Sequence, residues 1–217
     1  MIQTLKDKHK GATIAIIGSG PTANVYCEKE DIAIALNGAI QLDKKIDYFM
    51  AFDNSVPYLN YYYTSKKATR LIGANIASVD KVLYPNLPDR QRKLIIGSNV
   101  TEVNFHLKSL KPVSPHLYWY FQLRREPVFN PDVTYLSAMG NICVPAIEAA
   151  VIMGCSTMHI YGIDLGKRGY FYGARKGNYD VRRANYTNSM LTLCINNGIN
   201  VRVSRGSTSR ITVGDNI

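Results

Sequence analysis

Long apolar runs are missing from this 217-residue chain: none approaches the roughly 20 residues that a bilayer-spanning helix needs. The opening residues, MIQTLKDKHKG, lead into a strand-like run with no small-residue cleavage site, so they do not read as a secretory leader. A cytoplasmic location is the expectation. Cysteine is sparse. Cys27, Cys143, Cys155 and Cys194 contain no CxxC pair, which removes the usual zinc and dithiol patterns. Three of the four lie in apolar surroundings and are expected to be reduced core thiols. Internal repeats, low-complexity tracts and clear linkers are also absent.

Acidic residues are scarce too, at 16 against 26 lysines and arginines, for a net charge of +10. Such a balance favours anionic partners. The basic residues are scattered, however, and no arginine-rich arm, zinc finger or RNA-binding motif accompanies them, so nucleic acid is not the expected partner. The densest basic stretch, from Lys167 to Arg210, would suit a phosphate or an acidic sugar.

Short β-rich runs alternate with segments of helical character. Strands are expected at 13–17, 32–37, 48–52, 70–72, 81–84, 94–96, 117–121, 157–161 and 200–203. Several are apolar throughout, the mark of strands covered on both faces. Two helices stand out. Asn141 to Gly154 is apolar nearly all round, tolerates Pro145 in its first turn and ends on a glycine. Asp180 to Asn197 starts acidic and stops at Gly198. The pattern predicts an α/β chain: a Rossmann-like, mainly parallel sheet with helices on both faces. One domain over 1–217 is expected, with an irregular lid inside 54–130, where aromatic stretches and prolines interrupt the alternation.

Gly18-Ser19-Gly20-Pro21-Thr22 follows the first strand and satisfies G-x-G-x-x-A through Ala23. A loop of this kind gives a tight turn and leaves N–H groups at a helix start for a phosphate, with Pro21 at the first helical position. The acidic residue that clamps a ribose in dehydrogenases is replaced by Asn37, followed by Gly38. The GK[ST] of a P-loop does not occur. Asp53 and Asn54 end the third strand, and Asp164 follows a later one in HIYGIDL. In a parallel sheet these carboxyl ends converge on one crevice. For each aspartate alone, helix capping or a loop hydrogen bond is the simpler role.

Taken in order, IIGSGPTA, ALNGA, IDYFMAFD, AAVIMG and HIYGIDL resemble the blocks of the MptE-like superfamily, which includes 6-hydroxymethylpterin pyrophosphokinases and flagellar-glycosylation proteins. They are also similar to bacterial sialyltransferases that use CMP-sialic acid. The resemblance runs from about Thr13 to Leu165, with the middle poorly matched. It implies nucleotide contacts from Gly18, Ser19, Gly20, Pro21 and Asn37; Thr22, Gly38, Asp53 and Asn54 are expected beside them because they line the same crevice of strand ends. It further implies Asp164, Tyr170 and Tyr172 as catalytic candidates, the tyrosines assisting a leaving phosphate. The sialyltransferases carry a histidine base after those tyrosines; here no histidine follows Tyr172, and the four present are His9, His106, His116 and His159.

The expected function is therefore a nucleotide-dependent transferase, sialyltransferase-like, using a CMP-activated acidic sugar and a small-molecule or glycan acceptor. No tightly bound cofactor or metal is expected for it. One alternative is a pyrophosphokinase using ATP with magnesium, for which Asp53 and Asp164 would hold the ion. The other is a non-catalytic nucleotide-binding domain. A homo-oligomer would fit the transferase analogy.

Overall fold

The computed structural model describes residues 2–52, 68–73, 116–122, 126–133, 135–137, 141–164, 169–171, 181–204 and 215–216. Nine strands are found there: β1 (Thr13–Ile17), β2 (Ile32–Leu36), β3 (Tyr48–Ala51), β4 (Thr69–Gly73), β5 (His116–Gln122), β6 (Tyr135–Ser137), β7 (Thr157–Tyr161), β8 (Asn200–Val203) and β9 (Asp215–Asn216). They form one sheet in the order β6-β5-β4-β3-β2-β1-β7-β8-β9. Every pairing is parallel. With the helices α1 (Cys143–Ile152) and α2 (Val181–Asn196), this is an α/β, Rossmann-like fold. The strands expected at 81–84 and 94–96, and most of the lid expected within 54–130, lie outside the described residues.

Alternation along the central strands sorts their side chains onto two unlike faces. Ile14, Ile16, Ile34, Leu36, Met158, Ile160, Val201 and Val203 enter one core, packed beneath α1 and α2. That core explains the all-round apolarity of α1, whose ten residues are all buried. The helix touches β1 and β2 on one side, α2 on another, and β6 where the sheet's far edge meets it. Glu148, buried within α1, accepts hydrogen bonds from the N–H and hydroxyl of Ser137 at the end of β6. Cys143, Cys155 and Cys194 belong to the same core, and burial pushes each thiol up to about 12, while Cys27 is exposed.

The opposite face is built from small residues. Ala15, Ala33 and Ala35, with Ile17 and Tyr161, are covered by Ala23, Tyr26 and Ala39 from the connections between strands. Those connections contain 3-10 turns, Pro21–Val25 and Asn37–Gln41, rather than long helices. Alanine on the sheet lets so short a crossing lie close. Gly154 and Gly198 adopt positive φ at the ends of α1 and α2, the stop expected of each. The first residues add a strap. Ile2 and Leu5 of a 3-10 turn enter the core, and the N–H groups of Asp7, His9 and Gly11 donate to the carbonyls of Ile152, Met153 and Gly154.

Candidate functional site

The chain leaves β1 toward β2 on one side, while β7, reached only after β6 and α1, lies on the other. Strand order thus reverses at β1, and an open α/β sheet has its crevice at such a point, beyond the carboxyl ends of the strands. The segments that leave there are Gly18–Thr22 from β1 and Gly162–Asp164 from β7.

These two segments are locked together. Gly18 N–H donates to the Tyr161 carbonyl at 2.7 Å, and Gly20 N–H to the Gly162 carbonyl at 2.7 Å. The Asp164 carboxylate is buried and accepts from Thr22 twice, from the N–H at 3.0 Å and from the hydroxyl. The Thr22 oxygen in turn accepts from Gly162 N–H at 3.0 Å. The glycines are required by this approach: a Cβ on Gly20 would sit 2.6 Å from an Asp164 carboxylate oxygen, and one on Gly162, at φ +61°, would meet the Gly18 carbonyl.

This changes the reading of the motif. Gly18, Gly20 and Thr22 do not offer free N–H groups to a phosphate, because all three donors are spent inside the protein. Nor does a long helix begin at Pro21; the five-residue 3-10 turn there carries no extended macrodipole. Asp164 likewise has both oxygens committed to Thr22. The sequence shows a glycine pattern but not which acceptor each N–H will meet.

Other groups at the mouth remain open. Ser19 donates its hydroxyl to the Leu36 carbonyl at 3.3 Å, while its own N–H has no acceptor among the described residues. Asn37, at φ +49°, carries a buried amide oxygen that is likewise without a partner there. Gly38 is buried beside it, and its carbonyl accepts from the Gln41 amide. Phe171 N–H donates to the Ser19 carbonyl at 3.0 Å, which brings the segment 169–171 against the Gly-Ser-Gly loop. Tyr170, 38% exposed, is therefore a sequence neighbour of the mouth. Asp53, Asn54 and Tyr172 lie outside the described residues. Ser19, Asn37 and the Tyr170 segment are thus brought together, with Gly18, Gly20, Thr22 and Asp164 forming the floor beneath.

A second polar cluster went unread in the sequence. Glu30, in the connection before β2, has a fully buried side chain and accepts at Oε1 from His159 Nδ1–H at 2.6 Å and from the Tyr161 hydroxyl at 2.7 Å. Burial alone would raise its carboxyl, but the His159 and Tyr161 hydrogen bonds outweigh it and hold the group below its ordinary value. Burial, followed by the Glu30 contact, pushes the Tyr161 hydroxyl well up. The ring of Tyr26 meets that of Tyr161 edge-on, 5.4 Å between centroids. His159 was legible only as a strand residue, and nothing in the local sequence marks Glu30 as its partner.

No protein-family model matches this chain, and no curated protein matches it.

Proposed function

We propose that the chain is a nucleotide-dependent transferase, with a CMP-activated acidic sugar as donor and a small-molecule or glycan hydroxyl as acceptor. The observation that carries this reading is the complement of unspent groups at the switch-point mouth: a main-chain donor at Ser19 and a buried amide acceptor at Asn37. A main-chain N–H without an acceptor among the described residues suits a phosphate oxygen. An orphaned amide oxygen suits the amino group of a cytosine or a ribose hydroxyl, since a buried acceptor left unpaired costs about 1–3 kcal/mol. Tyr170 precedes Phe171, whose N–H meets the Ser19 carbonyl, so a phenol follows the loop closely in sequence, and the net charge of +10 favours an acidic donor.

The pyrophosphokinase reading draws less support. It needs a carboxylate free to hold magnesium, and Asp164 is already committed to Thr22.

A thermal-shift panel of CMP, CDP, UDP, GDP, ATP and NAD, each with and without magnesium, tests the proposal. A nucleotide at a hundred times its Kd stabilises the fold by about 2.7 kcal/mol. A metal-independent response to cytidine nucleotides is expected. Response to ATP only with magnesium would replace this reading with the kinase, and silence across the panel would leave a domain without nucleotide affinity. Asn37→Gly retains the left-handed backbone while removing the amide, so it should fold yet bind CMP about tenfold more weakly. Unchanged affinity would remove Asn37 from the site.

A further inference from the structure

Glu30 carries a fully buried carboxylate whose burial is offset by hydrogen bonds from His159 and Tyr161. It lies against a face lined with alanines, its Oε1 is shared by two donors, and its Oε2 is buried without a partner. What it does fix is the ring of His159. In the neutral ring, a carboxylate receiving Nδ1–H selects that tautomer and leaves the lone pair on Nε2, the arrangement in which a histidine is held for an external donor. Nε2 has no partner among the described residues, and the His159 side chain keeps 13% of its surface exposed. The ring's two nitrogens point in different directions, so committing Nδ1 to Glu30 leaves Nε2 available to a separate partner.

Beside His159 runs β8, whose Asn200 and Arg202 are exposed on the same face of the sheet. His159 and Arg202 are register partners on adjacent parallel strands, with Asp215 of β9 next in register beyond. Neighbouring strands are about 4.8 Å apart, so the two side chains stand side by side. A hydrogen-bond acceptor next to a guanidinium is complementary to an anion that also carries a hydrogen-bond donor, such as an acid bearing a hydroxyl group.

We propose that His159, held by Glu30, and Arg202 form a binding site for a hydroxylated carboxylic acid on that face of β7 and β8. The ligand hydroxyl donates to His159 Nε2 and its carboxylate pairs with Arg202. The site is separate from the switch-point mouth and does not depend on the nucleotide reading.

The test uses the full chain labelled with 13C and 15N, and follows the His159 ring by NMR. In the free protein its nitrogens should report the Nδ1–H tautomer, and an Nε2–H tautomer would overturn the proposal. D-glucuronate is then titrated, with D-glucose (hydroxyls without the acid) and acetate (acid without a hydroxyl) as comparison probes. Saturable His159 shifts are expected with glucuronate, with both comparison probes about tenfold weaker, since each lacks one of the two contacts. Arg202→Ala, at an exposed position, should fold normally and reduce glucuronate to the level of glucose. No His159 response to glucuronate, equal response to acetate, or undiminished binding by R202A would each sink the assignment.

Discussion

Single residues show how far one pattern can be read. The glycines at 18 and 20 were legible as a tight turn, and the structure adds a cause inside the protein: a Cβ at either would meet Gly162 or Asp164. A sequence records that a side chain is missing; it does not record what fills the space. Asp164 carries the consequence. As a catalytic group it would be dispensable for folding, and functional-site residues are often replaced with little loss of stability. As the acceptor of two Thr22 donors it is structural, because its removal strands buried polar hydrogens. Asp164→Ala should therefore lower the unfolding free energy by about 1–3 kcal/mol for each donor left unpaired, read from urea denaturation midpoints. A midpoint equal to that of the parent chain would return Asp164 to the list of catalytic candidates.

At the level of elements, apolar strands announced themselves. Thr13–Ile17, Thr157–Tyr161 and Asn200–Val203 have the bounds expected from composition, and the two α-helices fall within theirs. The edge strands β6 and β9, of three and two residues, were not foreseen, since so short a run has no period to detect. The 3-10 turns escaped for a related reason: their register is set by the alanine face beneath them, a tertiary cause. One junction between elements was also hidden. The Asn141 side chain accepts from Cys143 N–H at 2.9 Å and Val144 N–H at 3.1 Å, and donates to the Arg183 carbonyl at 3.3 Å. It therefore caps α1 and ties it to the first turn of α2. Asn141→Ala should cost about 1–2 kcal/mol, the upper part of the range for an N-cap. Asn141→Asp keeps the acceptor but loses the amide donor, so in the same urea titration it should recover most of the difference. If both variants unfolded alike, the tie to α2 rather than the cap would be the larger contribution.

Over the whole molecule, the two faces of the sheet divide the work: one is a helix-covered apolar core, the other carries polar groups among alanines, His159 and Glu30 included. Only the first kind of face is written plainly in hydrophobic pattern, which is why the fold was legible and the Glu30 cluster was not. The division sets how the molecule responds to acid. Glu30 is held below its ordinary 4.5, chiefly by the His159 and Tyr161 hydrogen bonds acting against burial. The unfolded chain then binds more protons than the folded one in the window beneath about 4.5, so Glu30's contribution is complete above that value and lost as pH falls through its folded pKa. His9 adds an earlier step. Burial, and then the nearby Lys8 charge, lower its ring from 6.5, so its contribution is complete above 6.5 and declines as pH falls below it. Urea midpoints followed from neutral to acid pH should accordingly fall in two stages. Glu30→Gln keeps an acceptor for His159 and Tyr161 but cannot titrate, so it should flatten the lower stage and leave the upper one intact; an unaltered lower stage would show that other carboxylates govern the acid limb.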